Sequence, residues 1–206
     1  MSTLLVIDTS PNPTSVSRQL TEKFVSEWKK ANPDGTVLRQ NAGANPPVHL
    51  DGELIQALLR NPETLNDYQS KAVKASDSTI EQLHQADMIV IAAPMHNFTI
   101  SSGFKTWIDH VSRAGKTFGF SEKGPEGLLK DRPVYVISAR GGDYGDGAAD
   151  NPHPADFQSG YVRHIFAFMG IQSVNIIAAN GLDMGDEPRA AGIDAAEQKI
   201  QAVFAA

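Results

Sequence analysis

Cysteine is absent from the sequence. Its absence excludes disulfides, thiolate metal sites and a cysteine nucleophile, and agrees with a reducing compartment. Long apolar runs are missing too: none approaches the roughly 18 residues that span a bilayer. Charge of one sign is nowhere gathered into blocks. The 18 Lys and Arg are interleaved with the 24 Asp and Glu, for a net charge of -6. No basic stripe exists to pair with a phosphate backbone, so nucleic acid is not expected as a partner. The patterns G-x-x-x-x-G-K-[ST] and G-x-G-x-x-G are both missing. His49, His84, His110, His153 and His164 stand at no metal-ligand spacing, and no metal is expected. Asp143, Asp146 and Asp150 lie in a Gly-rich stretch without the ligand order or the glutamate of an EF-hand, and read as a surface loop. Met1-Ser2-Thr3 enters an apolar segment with no basic leader or cleavage site, so a cytoplasmic protein without membrane contact is the expectation.

What is present is a chain of 206 residues, 41% hydrophobic and 20% charged, which fits one soluble domain over 1–206. Short apolar runs alternate with stretches of helical period. Thr3–Asp8 and Asp87–Ala93 are too continuous for strands with a wet face and read as buried parallel strands, the second of them central. Thr36–Gln40 is shorter and more polar, as suits an edge. Pro133–Ser138 and Ser173–Ala178 supply two more strands. Between them, helices are expected from a Ser17 cap through Trp28, over Asp51–Arg60, and over Glu63–Gln85 after the Asn61-Pro62 break. Further helices follow the Ser101-Ser102 cap, carry Phe157, Tyr161, Ile165 and Phe168, and run over Glu187–Phe204. Gly115–Leu129, with Phe118 and Phe120 at alternating positions, reads as a hairpin excursion. The whole is α/β: a doubly wound five-stranded parallel sheet with helices on both faces.

Ligands of such sheets bind beyond the carboxyl ends of the strands, where the winding direction switches. Three loops there have unusual composition. Thr9 to Arg18 sets the hydroxyls of Ser10, Ser15 and Ser17 beside the free N–H groups of a helix N-terminus, which suits a phosphate monoester. Capping and turn formation by the same hydroxyls is the other reading, and spacing alone leaves both open. Pro94-Met95-His96-Asn97-Phe98 places a thioether, an imidazole, an amide and a phenyl ring directly after the central strand. A planar heteroaromatic ring could lie on that platform; an ordinary loop with two core anchors would look the same. Ala139-Arg140-Gly141-Gly142 lets backbone approach a ligand closely because Gly has no Cβ, though a Gly-Gly pair alone identifies nothing.

Together these blocks carry a resemblance. The sequence resembles the bacterial FMN-dependent NADH:quinone oxidoreductases and NADH-azoreductases across essentially its whole length. The likeness rests on the serine loop, Ile91-Ala92-Ala93-Pro94-Met95-His96-Asn97-Phe98 with Ile100-Ser101, Ala114-Gly115-Lys116-Thr117-Phe118, Gly124-Pro125-Glu126-Gly127-Leu128 and Arg140-Gly141-Gly142. It implies a flavodoxin-like fold holding one FMN non-covalently, with Ser10, Ser15, Val16 and Ser17 around the phosphate. It places Pro94, Met95, His96, Asn97 and Phe98 along the isoalloxazine and ribityl chain, and Ala139, Arg140, Gly141 and Gly142 at the pyrimidine end. A ping-pong cycle is implied as well. NADH or NADPH gives hydride to flavin N5 and leaves, then a quinone or azo compound receives two electrons, with no side-chain acid or base required. His96 could supply a proton or orient substrate. Phe118, Phe120 and Tyr144 are expected at the substrate pocket, in a homodimer whose partner helps wall the flavin, with the 44–66 segment as a further wall piece.

Two positions depart from the family, which typically has Tyr at His96 and Ser at Ala139. Both are expected to touch flavin partly through backbone, so the departures bear on redox potential and substrate preference more than on binding. The serine loop is also one residue shorter than in some relatives. Asn97-Phe98-Thr99 is formally a glycosylation sequon and is discounted in a cytoplasmic chain. A flavodoxin-type electron carrier without a nicotinamide site is the alternative, although such carriers usually show a strongly acidic docking surface. A receiver-type signalling domain is rejected, because Pro94 and Met95 stand where its phosphate-accepting Asp would end the strand.

Overall fold

Leu4 and Val6 pack on one side of the first strand and Leu5 and Ile7 on the other, all four buried. That double burial explains why the run is continuously apolar. The computed structural model describes residues 1–59, 64–122 and 124–205. The order is β1 (Thr3–Asp8), α1 (Val16–Ala31), β2 (Thr36–Asn41), α2 (Gly52–Leu59), α3 (Asp67–Gln85), β3 (Met88–Ala92) and α4 (Ser102–Val111). A hairpin of β4 (Phe118–Ser121) and β5 (Gly124–Gly127) follows, then β6 (Val134–Ala139), α5 (Phe157–Phe168), β7 (Val174–Ala179) and α6 (Asp186–Phe204). The main sheet has five strands in the order β2-β1-β3-β6-β7, all parallel, with β3 central and β2 at one edge. The expected doubly wound sheet is present, and so is the separate antiparallel hairpin.

Two cores sandwich the sheet. Phe24, Trp28 and Ile200 from α1 and α6 cover Leu4, Val6, Val90 and Ile137. On the opposite face, Leu83 of α3, Phe104 and Trp107 of α4 and Phe166 of α5 cover Leu5, Ile7, Ile89, Ile91 and Val136. A satellite cluster of Leu54, Leu58 and Ala72 joins α2 to α3. Among the described residues no helix is long and apolar enough to cross a membrane.

Some boundaries differ from expectation for identifiable reasons. The third helix starts at Asp67 instead of near Glu63, because Asn66 and Gln69 form a reciprocal capping box. Leu65 and Tyr68, apolar members of that helical pattern, are 37% and 41% exposed. Arg60, Asn61, Pro62 and Glu63, where one helix was expected to end and the next to begin, lie outside the described residues. Phe157 does not face inward: it is exposed, and the buried positions of α5 are Gln158, Ser159, Val162 and Phe166.

Candidate functional site

The winding reverses between β1 and β3, which both pair with neighbours in parallel, so their carboxyl ends open side by side. After β1 the chain doubles over at Asn12. Its side chain accepts from the Thr14 N–H at 2.9 Å and its carbonyl from the Ser15 N–H at 3.2 Å. This turn delivers Ser15, not the expected Ser17, to the cap of α1: Ser15 is extended (φ -65°, ψ 145°) and its Oγ accepts from the Arg18 N–H at 3.3 Å. Ser17 falls within the first turn, fully buried, with its Oγ 3.4 Å from that of Ser15. The Val16 and Ser17 N–H groups belong to the turn for which a helix has no internal acceptor, and the positive end of its dipole lies there.

Arg18 bends back from the helix head. It ion-pairs with Asp8 and donates from Nη2 to the Ser10 carbonyl at 3.1 Å, while Asp8 Oδ1 accepts from the Ser10 N–H at 3.0 Å. The cation of this loop is therefore spent on bracing it, and an anion there would meet hydroxyls and amides. Gly43 presses on the same loop. Its N–H donates to the Asp8 carbonyl at 3.0 Å, and a Cβ would run into the Ser10 carbonyl.

The second loop is stitched to the third, because the Met95 N–H donates to the Ala139 carbonyl at 2.9 Å. His96 and Thr99 then exchange two backbone hydrogen bonds, of 2.9 and 3.0 Å, closing a tight turn with Asn97 and Phe98 at its tip. Both tip residues have positive φ, 47° and 69°. Asn tolerates that region; for Phe it costs on the order of 1–3 kcal/mol. Phe98 meets Tyr144 edge-on with ring centroids 6.0 Å apart, and Tyr144 meets His153 at 5.5 Å. Met95, Asn97, Phe98, Gly141 and Tyr144 line an open concavity of about 210 Å³. A larger cavity of about 490 Å³ lies between α3, α4 and the 45–48 segment, but no residue of the three loops lines it.

Gly141 and Gly142 give their carbonyls to the Asp183 and Gly181 N–H groups, at 2.9 and 3.0 Å. Part of the reason for glycine is internal. A Cβ on Gly141 would strike the Asp183 carboxylate, and one on Gly142 would sit 3.2 Å from the Tyr144 ring. Arg140, expected at the pyrimidine end, does not line the concavity. Its N–H donates to the Ala179 carbonyl, its carbonyl accepts from Leu182, and its guanidinium is fully buried against Asp156 at 3.0 Å. Burial pulls the Arg140 pKa below its ordinary value, with Asp156 opposing the shift. Ala139 is buried and Pro94 closes β3, so both offer backbone and no side-chain polar group.

Phe118 and Phe120 are not brought to Tyr144. Phe118 packs on Phe168 at 4.6 Å, at the C-terminal end of α5, whereas Tyr144 packs on Phe98, near the N-terminal end of that helix. The helix between them spans about 18 Å at the usual rise per residue. Phe120 is 74% exposed on the hairpin. Residues that sequence reasoning passes over are Asp8, Arg18, Gly43, Asp156 and Gln158, none of which carries a local motif.

The chain matches the family described as Flavodoxin-like fold over residues 2–204. It is 40% identical over 204 residues to the FMN-dependent NADH:quinone oxidoreductase 2 of Pseudomonas fluorescens strain Pf0-1, covering 98% of this chain and 100% of that one. The chain belongs to the FMN-dependent NADH:quinone oxidoreductase family. Within that family it is 42% identical to the Hyphomonas neptunium protein over 204 residues, 98% of this chain and 96% of the relative. Among solved structures, an azoreductase of Bacillus anthracis superposes with a TM-score of 0.86 at 27% identity over 99% of both chains. An FMN-dependent NADH-azoreductase of the same species, solved in complex with FMN, gives 0.84 at 27% identity over 99% of this chain and 100% of that one.

Proposed function

We propose that this chain holds one FMN non-covalently and uses it to pass two electrons from NADH or NADPH to quinones and azo compounds. The observation that carries the reading is the meeting, at neighbouring strand ends, of a hydroxyl-and-amide cradle at the head of α1 with the concavity beside Met95, Asn97, Phe98, Gly141 and Tyr144. The donor set suits a phosphate monoester, and the mixed apolar and aromatic lining suits a planar ring.

Bound FMN would supply the redox chemistry, accepting a hydride and returning two electrons. The chain's own residues do the positioning. Ser10, Ser15, Val16 and Ser17 grip the phosphate through hydroxyls and first-turn N–H groups. Met95, Asn97 and Phe98 seat the ring, with Pro94 and Ala139 fixing the two strand ends. The Gly141 and Gly142 N–H groups face the ring's edge and favour negative charge there. Tyr144 and His96 stand where a substrate would enter.

The same reading makes the protein a homodimer in the cytoplasm. Phe120 is exposed on the hairpin and does not line the concavity beside Tyr144, which supports its ring joining a substrate pocket from a second copy. Val48, Ile55, Leu59, Leu65 and Tyr68 are exposed apolar residues in and just after the 44–66 segment, which supports that segment as the contact. The cysteine-free composition supports the location.

The test is spectroscopic. Purified protein is expected to be yellow, to bleach when NADH is added under argon, and to recolour when a quinone is added with no partner protein present. A bound flavin that NADH leaves oxidised would restrict the chain to a carrier role, and a colourless protein that takes up no FMN would remove the cofactor.

A further inference from the structure

Four consecutive residues at the start of α5 reach three places around the proposed site, two of them meeting at Arg140. Asp156 caps the helix, and its carboxylate pairs with Arg140 at 3.0 Å, the two side chains being 2% and 0% exposed. The Phe157 N–H donates to the Phe98 carbonyl at 3.1 Å, at the tip of the left-handed turn. Gln158 donates from Nε2 to the carbonyls of Ala93 and Pro94, at 3.1 and 3.2 Å, and accepts from Ser138 Oγ at 2.5 Å. Ser159 accepts from Arg140 Nη2 at 2.8 Å and donates to Asp156 at 2.7 Å. Arg140 spends its other donors on Ser138 Oγ at 2.8 Å and on the carbonyls of Tyr144 and Gly145, each at 3.3 Å.

Stability does not account for this arrangement. A buried ion pair repays little of its desolvation cost, and apolar side chains of similar volume are often as stabilising. What the network does is geometric. From one rigid helical turn it fixes carbonyls at 93, 94 and 98 on one side and at 144 and 145 on the other, in segments beyond the ends of β3 and β6. Those segments are the two walls of the concavity that Met95, Phe98, Gly141 and Tyr144 line.

We infer that Gln158, Asp156 and Arg140 are positioning residues: the first turn of α5 is a clamp that sets the width of the slot for the flavin ring. The inference rests on the reading of the site as an FMN site. The clamp touches neither the phosphate cradle nor the ring, and acts only through the backbone of the two walls.

The experiment compares three variants with the wild type. Gln158→Met keeps length and removes the three hydrogen bonds. Asp156→Asn keeps an acceptor for the Ser159 N–H but removes the charge facing Arg140, and carries the test should Gln158→Met fail to fold. Ile200→Ala opens the core on the opposite face of the sheet and controls for plain destabilisation. Apoprotein is titrated with FMN, the absorption band of the bound flavin is recorded, and hydrogen exchange of residues 94–99 and 141–147 is followed without FMN. Both clamp variants are expected to weaken FMN binding by about tenfold or more, the scale typical of supporting residues behind a site. They are also expected to shift the visible band and to speed exchange in both walls. Ile200→Ala is expected to lower Tm with FMN affinity within about twofold of wild type, since the two sites share no contacts. Clamp variants that bind and exchange no differently from Ile200→Ala would overturn the inference while leaving the FMN site in place. A wild type that binds no FMN would remove the site reading, and this inference with it.

Discussion

The ring of Phe98 stands edge-on to that of Tyr144, centroids 6.0 Å apart, while the backbone of Phe98 is held at φ 69°. The edge contact is worth about 0.5–1.5 kcal/mol and the backbone strain costs about 1–3 kcal/mol. With the side chain 49% exposed, the burial it keeps is of the same order as the strain and roughly offsets it. Phe98→Gly is therefore expected to unfold within about 4 °C of wild type, or above it, while its FMN affinity falls. Calorimetry and FMN titration check both halves. A large drop in Tm with unchanged affinity would show that Phe98 is structural.

Ser17 is buried in the first turn of α1 beside the Ser15 hydroxyl, at a position where a carboxylate favours the helix. The dipole gain is smaller than the cost of burying a charge there, so Ser17→Asp should lower Tm modestly while setting a negative charge against the phosphate. FMN affinity is expected to collapse and riboflavin binding, which lacks the phosphate, to change little. The double variant Ser15→Glu with Ser17→Glu should purify colourless. Equal losses for FMN and riboflavin would mean that the phosphate lies elsewhere.

How far the sequence discloses this arrangement depends on the range of the interactions. β1 and β3 are legible because both faces are buried, and Ser101 is legible as a cap because it directly precedes the apolar period of α4. The choice between Ser15 and Ser17 is not, since two hydroxyls two residues apart offer the same cap and the turn at Asn12 decides. The inward face of α5 misleads the apolar rule, because Gln158 and Ser159 are buried by hydrogen bonds and Phe157 is not buried at all. Arg140 and Asp156 form their pair across a loop, and nothing at either position announces the other. Phe118 and Phe120 alternate as a strand should, yet alternation says nothing about which end of α5 the hairpin covers.

His96 commits its N–H and carbonyl to Thr99, and its side chain is exposed outside the lining of the concavity. Replacing the imidazole should leave that turn intact. His96→Phe is expected to keep FMN affinity within about threefold of wild type and to act on the KM for quinone, since contacts made only by substrate move KM before kcat. Stopped-flow measurement of NADH-driven bleaching should give an unchanged rate. A slowed bleaching rate would place the imidazole in the hydride step.

His110 lies buried near the end of α4 with Nε2 against the Val48 carbonyl at 2.8 Å. Burial, the largest cause, holds its pKa below the ordinary value, and the Val48 hydrogen bond only partly opposes this. In the unfolded chain the imidazole titrates near about 6.5. Between the depressed folded value and that pH the unfolded chain binds more protons, so stability falls as pH falls. The contribution is complete above about pH 6.5 and drains below it. Asp51 and Asp131, held low mainly by the Leu54 and Ser173 N–H groups, lose their contributions only in a more acid window, near and below the ordinary carboxylate range. Wild-type Tm is therefore expected to decline between about pH 6.5 and 5. His110→Gln, which keeps a donor for Val48 but cannot titrate, should decline less over that interval and match the wild-type slope once the pH lies below the folded-state value of His110. Parallel curves for the two proteins from neutral pH downward would show that His110 does not titrate with unfolding.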